Sequence, residues 1–408
     1  MLFQTLDDKD ECVGFYYDGG LHFDDGPFPA HLSKTWKYAP YLSEYQGIEY
    51  ANLYLEGREL KDVLPEYLMD DWARECEKLQ SFMRSLAIAQ VDRDENCTYD
   101  LLPSRFLKDY CRVKNSLTEF VLANCPRPQR YKYYLEVCKM LTEISHRRLN
   151  VDRRRLQTYL SDSTTRSLVS KAVGKPYVRY NQFGTITGRL TTHKNSFPIL
   201  TLRKDMRSIL TPRNDIFVEL DFNGAEARVM LGLLEETQPE VDIHKYHQEQ
   251  IFGGSITREA AKSLFFAWLY GSRSATSSEE GKILEKFYHK DRILDRYWDG
   301  KNIYTPYRKE IDNVDEHHAL NYIVQSTTAE LALLQALKIN ALLKRSQSSY
   351  ITCIIHDAII LDMAQEDLNL LEPIKKLMSS TKFGQFGVNI SMGKSLGSLQ
   401  EKESYGYG

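Results

Sequence analysis

The 408-residue sequence contains no Cys-x-x-Cys pair among its seven cysteines (12, 76, 97, 111, 125, 138 and 353). That spacing excludes a zinc ribbon and a disulfide framework, and it points to reduced thiols in a cytoplasmic setting. No apolar run approaches the roughly 18 residues that a membrane-spanning helix needs, so no membrane partner is expected. The opening stretch, MLFQTLDDKDE, is acidic and lacks the basic-then-apolar plan of a secretory signal. In that setting Asn96-Cys97-Thr98 reads as a chance match to a glycosylation acceptor. Internal repeats and low-complexity linkers are also missing. Residues 1–150 contain no Asp-x-Glu.

Excess charge of one sign is missing too, but only on average. The net charge is −3, yet residues 146–213 carry 15 Lys/Arg against 3 Asp/Glu, while residues 1–30 carry 7 acids against one lysine. A concentrated positive stretch fits phosphate neutralisation by one surface, with the rest keeping the chain soluble. For Arg153-Arg154-Arg155 alone, a solvated helix face is the plain alternative. A hydrophobic content of 42% supports a globular core, and the length suits about two or three domains.

Along the chain, CVGFYY, LHF and IEYANLYLE within residues 12–56 read as short strands broken by Gly and Pro. From 64 to about 156 the apolar spacing turns helical. Residues 216–222 alternate as a half-buried strand, 225–235 and 257–270 read as helices, and 297–307 as a hairpin around Asp299-Gly300. A long helix over about 315–345 leads into a strand–His-Asp–strand hairpin at 351–363. The class is mixed α+β.

Two aspartates stand out. Asp221 ends the strand in IFVELDFNGAEARV, and Asp357 sits in ITCIIHDAIILD with apolar residues on both sides. A charge in such a hairpin needs a metal or a polar partner. A carboxylate at a strand end is common, so Asp221 alone carries little. Together the two could hold a pair of Mg²⁺ ions for in-line phosphoryl transfer, because magnesium accepts few protein carboxylates plus waters and substrate phosphates. Between them Arg258, Lys262, Phe266 and Tyr270 recur every four residues, one oblique helical stripe turning about 120° over about 18 Å. Cations at one end suit a triphosphate, and aromatics at the other suit a base or sugar. An amphipathic helix with Phe and Tyr in its core is the alternative, although it leaves the cations on the aromatic stripe unexplained. Asn321 and Gln325, four apart, share a helix face.

DFNGAEAR, Arg258-xxx-Lys262-xxx-Phe266-xxx-Tyr270-Gly and the hairpin around His356-Asp357 resemble the three polymerase motifs of family A DNA polymerases, the DNA polymerase I family. TGRLTT at 187–192, Asp242-Ile243-His244, YWDGKNIYTP, the Asn321-to-Glu330 segment and the closing GVNISMGKSLGSL resemble further family segments in the same order. The likeness covers roughly residues 150–400. It implies a right-hand polymerase fold, with an antiparallel palm sheet and helical fingers and thumb. The ranges expected are a small β-rich segment at 1–63 (an exonuclease remnant or docking piece), thumb at 64–165, palm at 166–236, fingers at 237–314, and palm with tail at 315–408.

The same resemblance implies the roles. Asp221 and Asp357, with the Phe222 carbonyl, would ligate two Mg²⁺, with Mn²⁺ as a substitute. Glu226 would be the steric gate against a ribose 2′-OH. Arg258 and Lys262 would hold the triphosphate, Lys262 also acting as acid toward pyrophosphate, and His244 would touch the phosphates. Phe266 would pack on the sugar and Tyr270 close on the nascent pair. Arg189, Asn321 and Gln325 would follow the minor groove, whose acceptors every base pair offers, and His356 the primer terminus. Primer–template DNA and dNTPs are the implied partners, with a separately encoded exonuclease or processivity factor beside them.

The chain departs from the family pattern at Ala358, where an acid usually follows the His-Asp, at His317, where many relatives have Arg, and at Ser326, where a Gly is usual. The stretch 271–299 is short, implying trimmed fingers. A family-type 3′–5′ exonuclease begins with Asp-x-Glu on a strand, so its lack in residues 1–150 excludes intrinsic proofreading. The compact plan suggests a phage or mobile element, acting in a bacterial cytoplasm. Two other readings remain: a single-subunit RNA polymerase relative, against which Glu226 argues, and a catalytically weak replisome scaffold, against which the two aspartates and Lys262 argue.

Overall fold

The computed structural model describes residues 3–6, 14–23, 48–92, 96–157, 159, 176–194, 196–346 and 348–401. Much of the acidic opening and the 160–175 part of the basic stretch therefore lie outside the described residues, as do parts of the ranges 1–63 and 64–165. The chain divides into two compact units, 1–146 and 147–408.

The first unit has a three-stranded antiparallel sheet, β1 (Phe3–Thr5), β2 (Gly14–Tyr17) and β3 (Gly20–Phe23), in that order. Four helices follow: α1 (Ile48–Tyr54), α2 (Glu66–Ile88), α3 (Ser104–Asn124) and α4 (Tyr131–Ser145). The segment IEYANLYLE, expected to be a strand, is the helix α1 and its continuation. Ala51 and Leu55 lie four apart and both bury against Leu64, Leu68, Val113, Leu117 and Val121, a helical spacing that the tyrosines and isoleucine had masked. A second apolar cluster joins Leu6 and Tyr16 of the sheet region to Phe106, Leu107 and Tyr110 of α3.

The second unit is built on a five-stranded antiparallel sheet. Its strands are β4 (Ile216–Phe222), β5 (Tyr350–Ile355), β6 (Ala358–Met363), β7 (Val388–Gly393) and β8 (Gln400–Glu401), in the order β5-β6-β4-β7-β8. Val218, Leu220 and Phe222 bury one face of β4, while Glu219 and Asp221 point to the other and are half-buried. Each fully buried Val or Leu contributes roughly 1.5–3 kcal/mol, so this alternation fixes the register, because a one-residue slip would bury the acids. The hairpin β5–β6 closes with Ile355 opposite Ala358, leaving His356 and Asp357 as its two turn residues. His356 takes φ 58°, a left-handed conformation that His adopts more readily than most side chains.

Helices α5 (Ala225–Leu233), α6 (Ile243–Tyr246), α7 (Arg258–Leu269), α8 (Glu279–Phe287), α9 (Lys290–Tyr297), α10 (Glu316–Leu343) and α11 (Leu371–Ser379) belong to the same unit, with short helices at Arg153–Gln157 and Arg273–Ser277 besides. The long α10 is buried on nearly every side and packs on α5 and α11. Its Gln335 amide donates to the carbonyls of Leu377, Met378 and Ser380 at 2.9, 3.0 and 2.7 Å, satisfying the end of α11. The expected turn at Asp299 is present: its carboxylate accepts from the amides of Lys301 and Asn302 at 2.8 and 2.6 Å. No helix among the described residues is long and apolar enough to cross a membrane.

The turn from β4 into α5 depends on Gly224. Its φ is +67°, and an added Cβ would stand 2.2 Å from Ile243 Cγ2. Gly224→Ala is expected to destabilise the second unit by roughly 2–4 kcal/mol, read as a lower midpoint in denaturant unfolding.

Candidate active site

The sheet register brings the two singled-out aspartates together. Ile359 pairs with Leu220, and the hairpin turn extends from there, so Asp357 sits at the same end of the sheet as Asp221. On the other side Asn389 pairs with Asp221 and Val388 with Phe222. Behind the hairpin the buried Tyr180 hydroxyl donates to the Ile354 carbonyl at 2.6 Å and accepts from its amide at 2.8 Å. That satisfies the edge strand beside its register shift between Ile351 and Cys353.

Two carboxylates in a poorly solvated place disfavour their own ionisation. Burial first, then the Asp357 and Glu219 charges, push the Asp221 carboxyl up to about 7, while Lys262 pulls it down. Burial also raises Asp357, against Arg189, His356 and Lys262. This arrangement stabilises a bound cation, so the residues fit a divalent metal. Among the described residues no group of three or more His, Cys, Asp or Glu forms a ready-made metal cage. A cation here would rest on two carboxylates and a backbone carbonyl, with the remaining positions left to water and substrate.

Helix α7 carries the cation–aromatic stripe. Thr257 caps it, accepting from the Ala260 amide at 3.2 Å. The core side is Ala261, Phe265, Trp268 and Leu269, whereas Lys262 and Tyr270 are exposed and Arg258 and Phe266 half-buried. The stripe is thus the open face, and Phe265 rather than Phe266 fills the core. Phe266 lies 5.8 Å from the Tyr270 ring and 5.8 Å from His244. Arg258 is held by Asp242 through two hydrogen bonds, Nε to Oδ1 at 2.9 Å and Nη2 to Oδ2 at 2.7 Å. Burial alone would raise the Asp242 carboxyl, yet donors from Arg258, Asn223 and Lys245 outweigh it and hold the group well below the usual range.

Glu226, only 5% exposed, is a second hub. Tyr270 Oη donates to it at 3.0 Å, and Arg189 forms a short charge-assisted hydrogen bond with it. Burial raises its carboxyl, opposed by Arg189 and Tyr270 and reinforced by Asp357. Burial and the Glu226 charge in turn push the Tyr270 hydroxyl up to about 12. Asn321 and Gln325 are half-buried neighbours on α10, and the Asn321 Oδ1 is buried without a partner. His356 is exposed at the hairpin tip.

Sequence reasoning missed several contributors. Asn223 links the β4–α5 turn to Asp242, donating at 2.8 Å. Arg228, 1% exposed, donates to the carbonyls of Asn223, Pro239 and Val241 at 2.7, 2.8 and 2.8 Å. The arginine in GAEAR was on the page, but nothing in the sequence says that it is buried. Glu219, two residues before Asp221, was visible in the strand's alternation and shares its face.

No model of a known protein family matches the chain. In sequence it is similar to the thermostable DNA polymerase I of Thermus aquaticus, 23% identical over 246 residues, which is 49% of this chain and 29% of that protein. The thermostable DNA polymerase I of a Thermus thermophilus strain is 25% identical over 244 residues, again 49% of this chain and 29% of that protein. The match thus spans less than a third of the length of these relatives. In structure the chain is similar to the POL domain of Pol1 from M. smegmatis, solved in complex with DNA primer-template and dNTP. The TM-score is 0.59 at 14% identity, covering 72% of this chain and 76% of that one. The chain has the right-hand fold of a polymerase domain, with an antiparallel palm sheet. The sequence likeness is thus to DNA polymerase I enzymes and the structural likeness to a polymerase domain.

His244 supplies a pH handle on this site. It is 3% exposed; burial first, then the charges of Lys262, Arg258 and Arg228, push it down to about 4 despite Asp242. Because the folded pKa lies below the free value of about 6.5, the unfolded chain binds the proton more readily, and stability present above that value is lost as pH falls toward about 4. His247, also buried and pushed down to about 3, acts in the same direction. His244→Phe is expected to flatten the loss of stability between pH 6.5 and 4.5 by roughly 1–3 kcal/mol. Urea unfolding at a series of pH values checks this; an unchanged slope would refute it.

Proposed function

We propose that the chain is a DNA-directed DNA polymerase that adds dNTPs to a primer 3′ end on a template. The observation that carries the reading is the pairing of Asp221 with Asp357 at one end of the sheet, beside the open cation–aromatic stripe of α7. Two Mg²⁺, for which Mn²⁺ can substitute, held by the two carboxylates and the Phe222 carbonyl, would supply charge stabilisation to the attacking and leaving oxygens. The protein's own contribution is positioning and preorganised charge.

Lys262 and Arg258 bind the triphosphate, and Lys262 gives a proton to the departing pyrophosphate. His244, buried and uncharged near neutral pH, orients phosphate oxygens by hydrogen bonding. Phe266 packs on the sugar. Glu226, filled in between Arg189 and Tyr270, occupies the space of a ribose 2′-OH, which favours deoxynucleotides. Tyr270 closes over the nascent pair, Asn321, Gln325 and Arg189 follow the minor groove, and His356 lies against the primer terminus.

Within this reading residues 64–165 act as thumb, 166–236 and 315–408 as palm and tail, and 237–314 as fingers. These 408 residues supply no 3′–5′ exonuclease, and residues 1–63 serve as a docking piece for a separate nuclease or processivity factor. The buried Glu226 disfavours the RNA-polymerase alternative, because a ribonucleotide enzyme must leave that space open.

Asp357→Asn is expected to lower primer extension on the order of 10³-fold or more while primer–template binding holds. If wild-type protein with Mg²⁺ and dNTPs extends no primer and Asp357→Asn binds DNA equally well, a scaffold replaces the polymerase. Glu226→Ala is expected to shift the dNTP/rNTP selectivity ratio toward ribonucleotides by roughly tenfold or more. An unchanged ratio in single-nucleotide extension would remove Glu226 as the gate.

A further inference from the structure

Asp242 lies outside every role given above, yet its carboxylate is saturated. Oδ1 accepts from the Lys245 amide at 2.8 Å and from Arg258 Nε at 2.9 Å, and Oδ2 accepts from Asn223 Nδ2 at 2.8 Å and from Arg258 Nη2 at 2.7 Å. Asn223 is itself fixed: its Oδ1 accepts from the Ile243 amide at 2.9 Å and from Arg228 Nη2 at 3.3 Å. Asn223 stands two residues after Asp221, at the exit of β4. A chain of three side chains, Asn223, Asp242 and Arg258, therefore runs from the strand end that bears a catalytic carboxylate to the first turn of α7.

We infer that Asp242, oriented by Asn223, is a positioning residue that sets Arg258 for the triphosphate, an inference that rests on the polymerase reading. The geometry of the guanidinium supports it. Arg258 gives its Nε–Nη2 edge to Asp242 and keeps Nη1 clear of that carboxylate. The nearest acid to Nη1 is Glu259, on an exposed side chain at 3.6 Å. A planar fork held along one edge presents its remaining donors in a fixed direction, which is how arginine achieves specificity toward phosphate. An unheld arginine would have to lose its rotamer freedom when the nucleotide binds. The tether also ties the position of Arg258 to that of Asp221, so triphosphate and carboxylates keep a set spacing through one amide.

The opposite role is physically distinct. A carboxylate that competes with the triphosphate for Arg258 would weaken nucleotide binding, so removing it would strengthen binding. The test measures the affinity of a fluorescent dNTP for the primer–template complex with Ca²⁺ in place of Mg²⁺, together with steady-state KM and kcat in Mg²⁺. Asp242→Asn is expected to weaken binding and raise KM by roughly five- to tenfold, the size expected from releasing one immobilised long side chain. Its kcat should stay within about threefold, a split that reports lost ground-state binding. Arg258→Ala should weaken binding at least as much, and Asp242→Asn added to it should cost nothing further, because the tether then has nothing to hold.

If Asp242→Asn unfolds, Arg258→Lys keeps the charge, loses the two-point hold and is expected to show the same KM effect. Tighter or unchanged binding in Asp242→Asn, or a full additional loss in the double variant, overturns the inference. A wild-type protein that extends no primer overturns the polymerase reading instead. Nucleotide affinity in Ca²⁺ still separates the two failures.

Discussion

Asp221 and Asp357 are pressed together by the pairing of β4 with β6, in a place where neither carboxylate is well solvated. Isolated, that arrangement is unfavourable, because like charges in a low-dielectric site raise each other's proton affinity. The fold accepts it because the apolar faces of three neighbouring strands leave no other register: Val218, Leu220 and Phe222 bury on one side, which forces the acids onto the other. The surrounding charges are arranged around this strain. Lys262 draws both aspartates down and Arg189 draws Asp357 down, and each lies on a different element from the sheet.

Two further carboxylates, Glu226 and Asp242, are neutralised inside the protein, each by an arginine and a neutral donor. Glu226 has Arg189 and Tyr270; Asp242 has Arg258 and Asn223. The difference between the pairs and the Asp221–Asp357 site is instructive. Where a carboxylate has a fixed cation, its charge is a scaffold for geometry. Where two carboxylates sit together and the nearby cations, Lys262 and Arg189, make no direct ion pair with either, the charge is left for something that binds.

Much of this was legible in the sequence. The period-2 alternation from Ile216 to Phe222, the four-residue stripe on α7 and the apolar hairpin around His356-Asp357 each follow from local spacing, and the structure forms all three elements. Local spacing has less to say where the decisive partner is remote. Nothing in the local spacing marks Arg228 as buried, because the carbonyls of Pro239 and Val241 that receive it lie 11 and 13 positions away. Tyr180 lies 174 positions from the Ile354 backbone it satisfies. The strand expected around residue 50 failed for a related reason. Tyrosines and an isoleucine favour strands intrinsically, but Ala51 and Leu55 find a buried helical face on α3, and burial outweighs propensity.

Ala358 tests how far the site can depart from the family pattern. One step along the ladder from Ile359–Leu220 sets Ala358 beside Asp221, and residues directly across an antiparallel pair share a face. An acid at this position would stand next to a carboxylate whose pKa is already pushed up to about 7. Glu219 adds negative charge on the same face, but it is separated from Asp221 by two strand residues, about 6.6–6.8 Å of rise. At that range it polarises the aspartate without crowding it, and Arg207 and Lys204 partly offset its own burial. A third carboxylate, Glu219, thus stands on the same strand face as Asp221. Ala358 itself is buried and adds no charge beside Asp221.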